Sequence, residues 1–374
     1  MNNEQYTLRT ADCASVAGPG CGAFSTLHCE NFMLTQTIIG LDVGRSAVKA
    51  VAFAQGESYH LTFPSIVSPA IGISDETTAR RAAIETVEIE GKQFFTGDTA
   101  RLQGSPGANA GLSNDWINTP EYQALVASTM KRFEAMGVPG LDKPLLVIGT
   151  PANLFSSQQA RLKEVTERVV KAEMRVLPQP MGAYCDFYLD EKGLPIRSHI
   201  TDASGRTKSW AVIEVGHFTT DFLLMLEGQY VERGAGTCEG LNFAAEHLVR
   251  ILDGRGIHSN LIECETAIRT KSILQFGQEI DISEEVEKAV SHVAQKINAK
   301  ADSLLSMDVR KLHGVILAGG GAPLLYEEIK KKWSHCILVD NPRMSVANGF
   351  GRYGMGVALR QAMKRQSQQE TVDA

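Results

Sequence analysis

Apolar and polar positions along the chain follow two periods. Short apolar or alternating runs near 38–43, 48–54, 58–63, 145–149, 173–177, 210–215, 219–226 and 229–233 predict strands. Helical spacing predicts helices near 157–172, 238–252, 283–306, 321–333 and 350–365. In the first of these, Leu162, Val165, Val169 and Val170 form a stripe that reads as core. The helix at 283–306 opens Ser-Glu-Glu, which predicts Ser283 as its N-cap and a first turn that complements the helix dipole. Strands interleaved with helices predict an α/β fold. The polar, glycine-containing segment 197–208 reads as a link between domains. Residues 1–36 have neither period and no lysine, and read as a disordered extension. Met33, four residues before the first strand, is an alternative start, and a zinc-binding arm of Cys13, Cys21, Cys29 and His28 is the rival reading of that tail.

Two segments share more than a period. "IIGLDVGRSAVKAVAF", residues 38–53, and "AVIEVGHFTTDFLLMLEGQYVERG", residues 211–234, both read as apolar strand, acid-x-Gly, β-rich strand, glycine-containing turn and strand. Asp42, Gly44 and Gly56 match Glu214, Gly216 and Gly228, each at an offset of 172 positions. A repeat of that size predicts two domains of like topology facing each other. A lone acid-x-Gly turn is an ordinary β-turn. Duplication in register makes it a candidate phosphate loop.

The physical reading of such a hairpin is direct. Glycine lets backbone N–H groups come up against a phosphate with no Cβ in the way. Ser46 and Thr219 add hydroxyl donors, and Lys49 adds a point charge. Asp42 and Glu214 are the candidates to hold a hydrated Mg²⁺, which keeps most of its water and takes one or two carboxylates. Two such hairpins would clamp a triphosphate. A third element, "GVILAGGGAPLLYEEIKKKW" at 314–333, runs from strand through Gly319, Gly320 and Gly321 into an amphipathic helix, a turn open to close approach by a ligand. No G-x-G-x-x-G follows the first strand, so a dinucleotide fold is not indicated.

Composition narrows the function. With 374 residues, 43% of them hydrophobic, the chain has more core-forming capacity than one domain normally uses. A net charge of −6 and the lack of any Lys/Arg block argue against direct capture of nucleic acid, so contact with DNA would run through a partner. No run approaches the roughly 18–20 apolar residues of a bilayer span, and the N-terminus has no basic start or apolar h-region, so the chain reads as cytosolic without membrane contact. Its 7 cysteines have neither CxxC nor disulfide-framework spacing and read as reduced thiols.

The hairpins, the glycine turn and their order resemble the actin and sugar-kinase ATPase superfamily, and within it the ParM/StbA group of bacterial actin-like plasmid-segregation proteins. "GLDVGRSAVKAV" resembles the first phosphate motif, "VIEVGHFTTDF" the second and "VILAGGGA" the adenosine motif. "LLVIGTPANLF" and "NPRMSVANGFGRYG" resemble the two connecting segments. "FFTGDTARL" with "EYQALVASTM" resembles the small outer subdomain of the ParM group. The resemblance implies an actin-like ATPase fold in which two duplicated ribonuclease-H-like domains flank a nucleotide cleft. It places the first domain at 37–205, with 350–374 packing back onto it, and the second at 206–349.

Carried over by position, the resemblance assigns roles. Asp42 would bind Mg²⁺ through water, with Glu214 its counterpart, and Gly44, Arg45, Ser46 and Lys49 would wrap the β- and γ-phosphates of ATP. Gly216, His217, Phe218 and Thr219 would form the opposing loop, with Asp221 steadying it or the attacking water. Gly319, Gly320, Gly321 and Ala322 would receive ribose and adenine, with Gly240 and Asn242 near the sugar. Gln179, expected just ahead of a helix begun by Pro180, would orient the attacking water, since an amide cannot deprotonate it. The second loop departs from the family in having Glu214 for Asp and His217-Phe218 where glycine is frequent. The implied function is a filament-forming ATPase that segregates plasmid DNA through a DNA-binding adaptor. The alternatives are an actin-like ATP-binding scaffold outside DNA segregation and a small-molecule kinase, which would need an Asp base where Gln179 stands.

Overall fold

The computed structural model describes residues 36–104 and 115–372. The extension, its alternative start and its cysteine arm lie outside the described residues, Gln36 excepted. The chain forms two compact bodies. One holds the described residues up to Thr150, Leu154–Ile196 and those from Val346 on; the other holds Pro151–Asn153 and Arg197–Ser345.

In the first body, β1 (Ile38–Val43), β2 (Ala47–Ala54) and β3 (Glu57–Pro64) form an antiparallel meander. Every residue of β1 is buried, as its apolar run requires of a central strand covered on both faces. The outer piece follows: β4 (Val67–Pro69), β5 (Thr86–Ile89) and β6 (Lys92–Thr96) pair in the order β4-β6-β5. It carries α1 (Glu76–Ile84), α2 (Gly97–Gln103) and α3 (Pro120–Ala135), the last started by the Thr119 side chain and a proline in its first turn. Then β7 (Leu145–Thr150), α4 (Phe155–Glu167), β8 (Glu173–Pro178) and α5 (Gln179–Tyr188) complete the main sheet, ordered β3-β2-β1-β7-β8 with β1, β7 and β8 parallel. Its core joins Ile39, Leu41, Val48, Phe133, Leu146, Ile148, Leu162 and Val165. Each such side chain stabilises the body by roughly 1.5–3 kcal/mol.

The second body repeats the scheme. After α6 (Arg197–Ile200), β9 (Trp210–Val215), β10 (Thr219–Leu226) and β11 (Gln229–Tyr230) form a meander, and β12 (Gly236–Glu239) also pairs with β10. Helices α7 (Asn242–Asp253) and α8 (Leu261–Thr270), the hairpin of β13 (Ser272–Gln275) and β14 (Gln278–Asp281), and α9 (Ser283–Leu305) follow. Next come β15 (Gly314–Ala318), α10 (Ala322–Lys332) and β16 (Cys336–Leu338). The sheet order β11-β10-β9-β15-β16 has the antiparallel and parallel pairings of the first sheet in the same places. Ile213, Val215, Phe222, Leu224, Leu248, Val293, Ile297, Val315 and Leu317 form its core. Helix α11 (Ser345–Val372) returns the chain to the first body.

The α/β class and the duplicated topology agree with the sequence reading, and several local expectations are corrected. Helix 157–172 ends at Glu167, because the chain tightens through Val169 and Val170 N–H bonds to the Thr166 carbonyl before entering β8. Residues 238–239 belong to β12, and the helix expected from 238 begins at Asn242. Ser283 is the first helical residue and makes no side-chain cap; Ile282 occupies the cap position. The strand expected at 229–233 stops at Tyr230 and gives way to a 3₁₀ turn at Glu232–Gly234. Segment 197–208 contains α6 and a turn in which Asp202 accepts from the Ser204 and Arg206 N–H groups. The C-terminal helix spans Ser345–Val372, longer at both ends than 350–365.

Candidate functional site

In the first body the candidate residues lie at the end of β1, where the strand stops and turns at Gly44 into β2. Asp42 is buried and directly opposite Lys49 in the β1–β2 ladder. The Lys49 ammonium lies 2.8 Å from Asp42 Oδ2. Gln179 donates from Nε2 to Asp42 Oδ1 at 3.0 Å. It is the first residue of α5 with Pro178 at the cap position, so it stands inside the helix and not ahead of it; Pro180 is in the first turn. Gly44, Arg45 and Ser46 make up the turn, with Ser46 exposed. Ser65 holds the turn from below, donating its hydroxyl to the Gly44 carbonyl and its N–H to the Ser46 carbonyl. Behind the site, burial and then the Asp42 charge push the Tyr122 phenol well above its usual pKa, so it stays neutral.

In the second body Glu214 occupies the matching position on β9 and is likewise buried. Its partner across the ladder is Asp221, the position equivalent to Lys49. A carboxylate therefore faces a carboxylate where the first body has an ion pair. Asp221, fully buried, accepts from the Ala152 N–H at 2.9 Å, the Thr237 hydroxyl at 2.7 Å and the Thr219 hydroxyl at 2.9 Å. Those donors compensate its burial and tie the loop residue Thr219 down.

The second loop is held by its backbone. Gly216, Phe218 and His217 carbonyls accept from the N–H groups of Leu241, Gly240 and Asn242 at 3.1, 2.9 and 2.6 Å. An added Cβ at Gly240 would lie 2.7 Å from the His217 oxygen, 2.7 Å from the Thr219 nitrogen and 2.8 Å from the Gly216 oxygen, so only glycine fits. Gly240 and Asn242 are thus brought to the loop itself, and the Asn242 side chain donates to Glu246. His217 turns its Nε2 to Glu265 Oε1 at 3.1 Å and packs edge-on against Phe218. Sequence reasoning missed Glu265; no pattern in the chain pairs it with a loop 48 residues away.

The glycine turn follows β15, the parallel neighbour of β9. Ala318 pairs with Glu214, and Gly321 donates its N–H to the Val215 carbonyl at 3.0 Å. Gly319 has φ of 90°, and a Cβ there would lie 2.5 Å from Glu214 Oε1. Gly320 is open, its nearest prospective neighbour being Arg343 Cγ at 3.8 Å. Gly321 caps α10, which starts at Ala322. The structure therefore brings Glu214, Gly216–Thr219, Asp221, Gly240, Asn242 and Gly319–Ala322 together in one body, and Asp42–Ser46, Lys49 and Gln179 together in the other.

The donor sets bear on a metal. Among the described residues no group of three or more His, Cys, Asp or Glu could hold an ion. Both Asp42 oxygens already accept hydrogen bonds, leaving it lone pairs for water. This chemistry fits a hydrated Mg²⁺ carried by phosphate oxygens.

Comparisons with known proteins follow the same division. Residues 40–182 match the family model of the actin-like proteins' N-terminal domain, and residues 212–331 match the C-terminal domain of the archaeal actin homologue MreB-like family. No curated protein matches in sequence. Among solved structures, a non-polymerisable quadruple mutant of pCBH ParM is similar with a TM-score of 0.67 and 23% identity, over 85% of this chain and 98% of its own. The 15-stranded ParM filament from Clostridium botulinum has a TM-score of 0.66 and 21% identity, over 86% and 99%. An archaeal actin homologue in complex with ADP has a TM-score of 0.65 and 16% identity, over 84% and 97%.

Proposed function

Because this chain belongs to the actin-like proteins, we propose that it is an ATPase that assembles into filaments with Mg-ATP and disassembles after hydrolysis, segregating plasmid DNA in the cytoplasm through a DNA-binding adaptor. The observation that carries the nucleotide reading is the duplicated hairpin: an acid ending a central strand, a glycine turn and a charged partner across the ladder, at equivalent positions of both bodies. The ADP complex of an archaeal homologue supports nucleotide binding, and the ParM filament supports self-association. The net charge of −6 supports an adaptor over direct DNA contact. Among the described residues no helix is long and apolar enough to cross a membrane.

In this reading Lys49, held by Asp42, meets phosphate oxygens as a point charge, and the Gly44–Ser46 turn supplies N–H and hydroxyl donors. Asp42 would hold water of a Mg²⁺ shell in the first body, Glu214 is its counterpart in the second, and the ion would supply charge neutralisation of the phosphates. Gln179 spends its Nε2 on Asp42, and its amide oxygen is left to accept a hydrogen bond from a water and orient it. Asp221 fixes the second loop through Thr219. A kinase would need a carboxylate base where Gln179 stands, which disfavours that alternative.

Sedimentation with phosphate release recorded in parallel tests the proposal. Pelleting is expected with Mg-ATP and with a non-hydrolysable analogue, decaying in the first case as ATP is consumed. Gln179→Ala is expected to slow phosphate release by about tenfold or more while sparing assembly with the analogue. Nucleotide binding with no pellet under any condition would leave the partner-dependent scaffold instead.

A further inference from the structure

Helices α7 and α9 of the second body meet along a seam of rings and cations. Phe243 and His247 lie one turn apart on α7, and His292 and Lys296 one turn apart on α9. The His247 and His292 rings are 4.7 Å apart between centroids, and the Phe243 ring stacks on His292 at 5.7 Å. The Lys296 ammonium lies 3.9 Å from the Phe243 centroid and 3.0 Å from Glu239 Oε1. The seam therefore runs from the middle of α7 to β12, next to Gly240 and Asn242, whose N–H groups hold the second loop. His247 Nδ1 is buried without a hydrogen-bond partner.

Two imidazoles at this spacing pack well only while neutral. A neutral ring can present Nδ1 as an idle acceptor, but a protonated ring carries N–H on both nitrogens, so a proton on His247 would bury an unpaired donor. Burial, then His292, then Arg250 one turn along α7 push the His247 imidazole below its usual pKa. Glu246 of α7 accepts from Asn242, and Glu239 is paired with Lys296. Further charges line the groove beside the seam: Glu284, Glu287 and Lys288 from α9 and Lys271 from the end of α8. Helix α10 adds Glu327, Glu328 and Lys331, the last two paired with each other. We propose that the His247–His292 pair is a proton-sensitive latch on α7: it closes the α7–α9 seam while both rings are neutral and, on protonation, loosens α7 and its hold on the second loop. The unfolded chain takes its proton near the ordinary histidine value of about 6.5, whereas His247 in the fold resists until lower pH. The stabilisation is therefore complete above about pH 6.5 and is lost as pH falls below it. Only the last link, from the loop to nucleotide, rests on the nucleotide reading above.

The latch is tested on the full chain between about pH 7.5 and about pH 5 by melting temperature, by NMR titration of labelled histidines and by calorimetry with Mg-ADP. His247 is expected to titrate below about pH 6.5, and His292→Gln, which removes the facing ring, to move its midpoint upward. In His247→Gln the acid-induced fall in melting temperature is expected to be smaller than in the wild type by about 2–4 °C. The fall in Mg-ADP affinity is expected to be smaller by about threefold or more, the nucleotide's own titration being common to both proteins. A wild-type His247 midpoint at or above about 6.5, or the same melting profile in wild type and His247→Gln, would overturn the latch. Melting profiles that differ while Mg-ADP affinity falls equally in both would overturn its link to the second loop. If His247→Gln does not fold, His292→Gln carries the same comparison. A wild-type chain that binds no nucleotide at about pH 7.5 sinks the nucleotide reading, and the melting and NMR results still decide the latch.

Discussion

Gly240→Ala is the sharpest test of how the second loop is held. The new methyl would sit 2.7–2.8 Å from backbone atoms of Gly216, His217 and Thr219, where ordinary contact begins at 3.4 Å. The loop must yield by about 0.6 Å against close-packed surroundings. None of the three obstacles is a flexible side chain. Movement stretches the bonds from Gly240, Leu241 and Asn242 to the loop carbonyls, each worth about 1 kcal/mol net. Overpacking of this kind costs about 1–3 kcal/mol, so a loss of roughly 2–3 kcal/mol is expected. For a body of this size that lowers the melting temperature by about 5–10 °C. Nucleotide affinity should fall with it, because the displaced loop carries Gly216 to Thr219. Thermal melting and nucleotide titration are the assays, with Gly320→Ala as the comparison, since its Cβ would meet only Arg343 Cγ at 3.8 Å. A Gly240→Ala protein melting within about 1 °C of wild type, or no less stable than Gly320→Ala, would refute the reasoning.

Three further outcomes are expected. Asp42→Ala strands Lys49 and frees Gln179, which should cost about 1–3 kcal/mol in denaturant melts and abolish magnesium-dependent nucleotide binding; unchanged affinity would remove Asp42 from the site. Phe276 is fully exposed at the β13–β14 turn with φ of 49°, a conformation costly for an aromatic residue, so Phe276→Asn should raise stability by up to about 1 kcal/mol, and a clear loss would show that the ring has a packing role. The bond from Arg233 holds buried Asp308 below the usual carboxylate range, with burial opposing. A depressed carboxylate stabilises above its unfolded pKa and loses that stabilisation as pH falls, so Asp308→Asn should flatten the decline in melting temperature below about pH 4, and an unchanged profile would exclude the pair as its source.

The sequence alone determined what is local or periodic. Strands such as β1 and β9, apolar but for one acid next to the last residue, read plainly because a central strand covered on both faces admits few polar residues. The repeat was legible because Asp42 and Glu214, Gly44 and Gly216, and Gly56 and Gly228 keep one spacing. Glycine at such turns answers a backbone requirement that no neighbour can change. The N-cap asparagine and Glu263 of α8 were equally readable and were overlooked, along with the β13–β14 hairpin they precede.

Tertiary structure decided what depends on partners distant in the chain. That Gly240 and Asn242 secure the second loop, that Asp221 is satisfied by Ala152 and Thr237, and that Glu265 holds His217 all follow from contacts 16 or more residues apart. The displaced helix boundaries have the same origin. Residues 238–239 have helical spacing, yet they pair with β10 because the edge of that strand offers ladder bonds an isolated first turn cannot match. Side-chain pattern records which face is buried; which atoms meet across that face is set only when the strands and helices pack.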